Sequence, residues 1–118
     1  MARHNDTGKE GETLAKNWFV NQGYHVIVAN WRSGRFEVDL IAEKNNVLHF
    51  IEVKTKRGTA FGLPEEQVSK KKIRHLLDAA EAYVYQHPQW QRVQFDVLAV
   101  ILRKAADPEY FLIEDVYE

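Results

Sequence analysis

The chain has 118 residues, a length suited to one domain, and 45% of them are hydrophobic, enough for a core of its own. It has no cysteine, which excludes disulfides and thiolate metal sites. Its net charge of -1 does not mark a nucleic-acid binder, and its longest apolar runs fall far short of the ~20 residues of a membrane span. The opening MARHNDTGKEGET lacks the apolar stretch of a secretory signal, so a soluble, cytoplasmic single domain over residues 1–118, apart from membranes, is the expectation.

A first helix is predicted from about Thr7 to Gln22. Thr7 caps it, Glu10 completes a capping box and Gly23 follows its end. Leu14, Ala15, Trp18 and Phe19 form its apolar stripe, with Gly8 and Gly11 on the same side and Glu12 at the border. Tyr24–Asn30 reads as a strand, Arg32–Arg35 as a turn, and Phe36–Glu43 and Val47–Lys56 as two further strands. Arg57–Leu63, with two glycines, reads as a loop and a mobile flap. A second helix starts near Pro64 or at Ser69 as N-cap, and Ile73, Leu76, Leu77, Ala80, Tyr83 and Val84 carry it to about Gln86, before His87-Pro88. Val93–Leu102 is apolar on both faces, as an internal strand is, and Tyr110–Val116 is a last strand at an edge. The order α-β-β-β-α-β-β predicts an α/β fold, a mixed central sheet flanked by helices.

The stretch EVDLIAEKNNVLHFIEVKTK places acids and lysines inside this sheet. A two-residue loop at Asn45-Asn46 sets Lys44 against Val47 and Ile41 against Phe50. Asp39 then opposes Glu52, and Glu37 opposes Lys54, all on one face, because strand alternation has period two. The other face, with Phe36, Val38, Leu40, Ala42, Ile51 and Val53, makes a core. Opposed carboxylates destabilise a sheet by up to ~1 kcal/mol, and folding alone does not call for them. A divalent cation between them would turn repulsion into coordination, and hard oxygen donors suit Mg²⁺, Mn²⁺ or Ca²⁺ rather than Zn²⁺. Lys54 could hold or deprotonate a water there, or stabilise charge on a phosphate. Glu12 could add a carboxylate if the first helix packs close by. The competing reading is a solvated sheet face on which Glu37–Lys54 is a surface ion pair of little worth.

Basic residues gather mid-chain: Lys54, Lys56, Arg57, Lys70, Lys71, Lys72 and Arg74, while Glu109, Glu114, Asp115 and Glu118 load the C-terminal end with acid. Cations at a helix N-terminus oppose its dipole, so the second helix's basic start suggests phosphate contact; plain solubility is the alternative. Asp96, in a buried strand, is expected to be hydrogen-bonded structurally rather than a metal ligand. The five histidines show no metal-ligand spacing, and His49 is placed opposite Ala42, away from the acids. Trp31 is read as a strand-end anchor or a base-stacking residue, and Trp18 as core.

Glu12, Asp39 and Glu52-Val53-Lys54, with a helix after them, resemble the PD-(D/E)xK nuclease superfamily: an acid on a helix, an Asp on one strand, Glu-x-Lys on the next. Gly8-Lys9-Glu10-Gly11-Glu12, Gly23-Tyr24, Asn30-Trp31-Arg32, Glu37 to Ala42, Phe50 to Lys54, Lys72 and Phe95-Asp96-Val97 further resemble the YraN-like family of uncharacterised bacterial proteins, over nearly the whole chain. One departure is Val38, where the superfamily pattern has proline. The resemblance implies a restriction-endonuclease-like core similar to Holliday-junction resolvases. It implies a Mg²⁺-dependent (or Mn²⁺-dependent) phosphodiesterase with Asp39, Glu52 and the Val53 carbonyl as ligands. Lys54 would be the base or electrostatic residue, and Glu12 would orient metal or water. Lys72, Lys70, Lys71, Arg74, Lys56 and Arg57 are expected to hold the nucleic-acid backbone, with Lys72 foremost because the family pattern has a lysine there. DNA, branched or damaged, is the expected substrate, without a residue that separates it from RNA, and symmetric DNA would favour a homodimer. The rivals are a nucleic-acid-binding module with a vestigial or accessory site, and a scaffold with no nucleic-acid role.

Overall fold

Strand-forming runs punctuated by Gly34-Arg35 and Asn45-Asn46 fold into a meander, and one helix carries the chain across to a parallel fourth strand. A computed structural model of the chain describes residues 2–58 and 70–116, with side chains from residue 8 onward. Helix α1 (Ala2–Asn21) precedes β1 (His25–Ser33), β2 (Phe36–Lys44) and β3 (Val47–Arg57); α2 (Lys70–Gln86), β4 (Val93–Leu102) and β5 (Glu109–Ile113) follow. The sheet order is β1-β2-β3-β4-β5. Neighbours are antiparallel except β3 and β4, which run parallel across the α2 crossover. The element order is the one the sequence predicts.

The two helices cover opposite faces. Ala15 and Phe19 of α1 pack with Leu40, Ala42, Ile51 and Leu98. Leu76, Ala79 and Tyr83 of α2 pack with Val38, Ile41, Leu48 and Phe50. Phe36 and Val38 therefore join the α2 side, not the face of Leu40 and Ala42 that strict alternation predicts. The physical reason lies where Asn30 and Asp39 meet, between the pairs Ala29↔Leu40 and Trp31↔Val38. Asn30 is in the left-handed region at φ 55°, a local twist that lets the alternation slip by one residue.

Helix α1 begins before Thr7, which is a helical residue and not the cap; Glu10 meets Arg57 of β3 at 3.2 Å instead of closing a capping box. Its C-terminus follows expectation. Gly23 turns left-handed (φ 94°), the amides of Gly23 and Tyr24 donate to the carbonyls of Val20 and Phe19, and the Tyr24 and Phe19 rings meet edge to face at 4.8 Å. Strand β5 ends at Ile113, short of the predicted Val116. Beyond it Asp115 adopts φ 55°, and the amides of Asp115 and Val116 bond back to the Asp96 carboxylate and the Phe95 carbonyl. Pro64, Ser69 and the flap beyond Gly58 lie outside the described residues.

Asp96 is fully buried, and its role inside the fold is the expected one. His49 Nδ1 lies 2.8 Å from its Oδ2, while Gln94 Nε2 and the Asp115 amide each donate to Oδ1 at 2.9 Å. The pair ties β3, β4 and the C-terminal segment together beneath Tyr24. His49 opposes Ala42, as the register predicts.

Gly11 sets how closely α1 approaches the sheet. A β-carbon there would lie 2.8 Å from Thr55 Cβ, inside any tolerable contact. Gly11→Ala is expected to lower stability by about 1–3 kcal/mol through overpacking. Adding Thr55→Ala should recover part of that loss. Chemical denaturation of the two variants measures both effects.

Candidate functional site

The antiparallel pairing of β2 with β3 runs from Lys44↔Val47 to Leu40↔Ile51, which is the register the two-residue Asn loop predicts. Beyond that pair each strand stays bonded only to its outer neighbour, β2 to β1 and β3 to β4. The sheet forks. Extending the register one step sets Asp39 against Glu52 at the crotch of the fork.

At that point the Val53 amide has lost its partner strand, and Asp39 Oδ2 accepts its hydrogen at 2.8 Å. A strand residue's N–H and C=O leave on the same side, so the Val53 carbonyl faces the fork as well. Burial and the nearby Glu52 carboxylate raise the Asp39 pKa from 3.8 to about 7; the Val53 amide and Lys72 pull it back, and Glu12 adds to the rise. Two acids from adjacent strands thus share one poorly solvated place.

A cleft of about 650 Å³ opens there, lined by Glu12, Glu37, Asp39, Glu52, Lys71, Lys72 and His75. One wall is acidic and comes from the sheet and α1; the other is basic and comes from the first turns of α2. Glu12 reaches the cleft because Gly11 lets α1 rest on Thr55. Glu52 Oε2 accepts from Lys72 Nζ at 3.0 Å and lies 3.7 Å from Lys54 Nζ. The Glu52 contact raises the pKa of Lys72. Lys54 lines a smaller adjoining pocket with Ile73, Leu76, Val97 and Val116, sharing Glu52 and Lys72 with the main cleft.

Other expected residues have other partners or positions. Glu37 pairs with Arg32 across β1 at 3.1 Å rather than with Lys54, because β2 and β3 have parted before it. Lys70 and Arg74 are exposed and do not line the cleft; Lys56 is half-buried on β3, and Arg57 is engaged with Glu10. Trp31 packs edge to face on Tyr83, as a strand-end anchor does. Trp18 is only partly buried, stacked on Tyr110. His75 was not singled out by metal-ligand spacing. Its signal is helical: it stands one turn after Lys71 and Lys72, and so shares their side of α2.

Among the described residues, no three His, Asp or Glu side chains converge tightly enough to hold a metal by themselves. The donor set is two carboxylates and a backbone carbonyl. That suits a hard cation such as Mg²⁺, which keeps several waters and needs only one or two carboxylates from the protein.

Fold and cleft together define a small α/β protein with a carboxylate–lysine site at the fork of a mixed sheet. The chain belongs to the uncharacterised protein family UPF0102, whose pattern matches residues 11–100 and so spans Glu12 through Lys72 and Asp96. This is the YraN family its motifs resemble. It is 39% identical over 118 residues to a UPF0102 protein of Phocaeicola vulgatus, covering all of this chain and 94% of that one. A UPF0102 protein of Bacteroides thetaiotaomicron shares 43% over 101 residues, 86% of this chain and 84% of the relative. One from Rhodococcus opacus shares 38% over 118 residues, 99% and 100% of the two chains. Among the described residues no helix is long and apolar enough to cross a membrane.

Because folding raises the Asp39 pKa, the folded protein favours the neutral acid. That contribution is complete below pH ~4 and is lost as pH rises toward 7. The span from 3.8 to about 7, at about 1.4 kcal/mol per pH unit, amounts to ~4 kcal/mol. With chelator present, wild type should therefore weaken relative to Asp39→Asn by up to that amount between pH 4 and 7. Urea denaturation across this range reads the difference.

Proposed function

We propose that this chain is a Mg²⁺- or Mn²⁺-dependent nuclease of the PD-(D/E)xK kind that hydrolyses phosphodiester bonds in DNA. The single observation that carries the reading is the meeting of Asp39 and Glu52 at the fork, with Lys54 beside Glu52 and Lys71, Lys72 and His75 on the facing wall.

Asp39, Glu52 and the Val53 carbonyl are the residues that would hold the cation. When bound, it would polarise the scissile phosphate and lower the pKa of an attacking water. The chain's own groups do the rest. The Lys54 ammonium, fixed on β3 next to Glu52, neutralises charge that develops on the phosphate or, deprotonated, takes a proton from water. Glu12, reaching in from α1, orients water by accepting its hydrogen. The basic wall of α2 receives the phosphate backbone, and its helix N-terminus adds a favourable dipole. DNA, branched or damaged, is the substrate class proposed, bound by a homodimer where it is two-fold symmetric.

The hold of two lysines on Glu52 also suits a second reading, a nucleic-acid-binding module whose acids are accessory. The two separate in a cleavage screen over junctions, flaps, duplexes and single strands with Mg²⁺ or Mn²⁺. The nuclease reading expects cutting of at least one of these, reduced about 100-fold or more by Lys54→Ala while the fold is kept. Intact substrates throughout, with binding that falls steeply with salt and ignores Asp39→Ala, would select the binding module instead.

A further inference from the structure

Glu52 is shared between two ammonium groups of different origin. Lys54 stands two residues along the same strand, with its Nζ 3.7 Å from Oε2. Lys72 comes from another element, the first turn of α2, and makes the closer contact, a hydrogen bond of 3.0 Å to Oε2. The Lys72 side chain is half exposed (50%) and carries its ammonium on a long, flexible stem. Lys71 and His75 line the same wall, where an anion would arrive.

A cation that binds Glu52 needs the lone pairs this ammonium uses, and it is repelled by the same positive charge. An anion on the basic wall offers Lys72 another partner of equal chemistry. We propose that Lys72 is an internal counter-ion latch on Glu52, so that divalent cation and phosphate enter the cleft cooperatively: phosphate draws Lys72 away and frees the carboxylate for the cation. The inference rests on the nuclease reading of the cleft and deepens it, since it makes the cation bind more tightly once a phosphodiester is in place. Reciprocity follows: the cation tightens phosphate binding by the factor by which phosphate tightens the cation. Lys72 is in this sense a positioning residue, acting through Glu52.

Mn²⁺ binding to the full chain, read by calorimetry and by the spin-resonance signal of free Mn²⁺, tests the latch without turnover. Lys72→Met should bind Mn²⁺ about tenfold tighter than wild type, the scale of a hydrogen bond between charged groups. Lys72→Gln should move in the same direction, and Lys72→Arg should stay close to wild type. Lys71→Met removes a charge from the same wall without touching Glu52, and should change affinity by less than about threefold. A phosphorothioate oligothymidylate should tighten Mn²⁺ on wild type and do so much less on Lys72→Met. Mn²⁺ binding that needs Asp39 yet ignores Lys72→Met, or responds equally to Lys71→Met, overturns the latch alone. Binding that is unchanged in Asp39→Asn lies outside the cleft and overturns the latch and the nuclease reading together.

Discussion

The amide of Val53 needs an acceptor that β2 no longer supplies once the two strands part. A buried amide without a partner would cost about 1–3 kcal/mol, so something must fill the gap. Asp39 fills it with a carboxylate rather than a backbone carbonyl, and that choice brings a titratable acid to the crotch of the sheet. Glu52 arrives beside it because the register at the Asn45-Asn46 turn leaves it no other position. The unusual electrostatics of the cleft then follow from one forked ladder.

The fork also explains why two helices on opposite faces of one sheet can face a single cleft. A closed sheet would screen α1 from α2. Where β2 and β3 separate, Glu12 of α1 and Lys72 of α2 reach the same space. Gly11 sets the approach of α1, and the buried His49–Asp96 pair binds β3 to β4 behind the site. The two walls of the cleft thus carry opposite charge, carboxylates on one and lysines on the other.

Much of this was legible in the sequence. The hairpin register needed only the paired asparagines and period two, and Gly23 announced the end of α1. Asp96 declared itself by being the one acid in a strand apolar on both faces. What stayed hidden depends on breaks in periodicity. Asn30 turns left-handed and moves Phe36 and Val38 to the α2 side, and no local propensity requires an asparagine to do so. Counting residues sets Glu37 against Lys54 because it assumes that strands stay paired; the fork gives it Arg32 instead. Metal-ligand spacing does not mark His75, which lacks a histidine neighbour, although its helical phase with Lys71 and Lys72 places it on the cleft. Thr7 looked like a cap, yet nothing in the residues before it stops a helix, and α1 runs through it.

A crystal soaked in Mn²⁺ and measured near the manganese absorption edge tests the central claim most directly. An anomalous peak within ligand distance of Asp39, Glu52 and the Val53 carbonyl, with the Lys72 head drawn away from Glu52, is the result expected. A map featureless at the fork, with the two carboxyl groups turned apart and Lys72 still on Glu52 at saturating Mn²⁺, would contradict it.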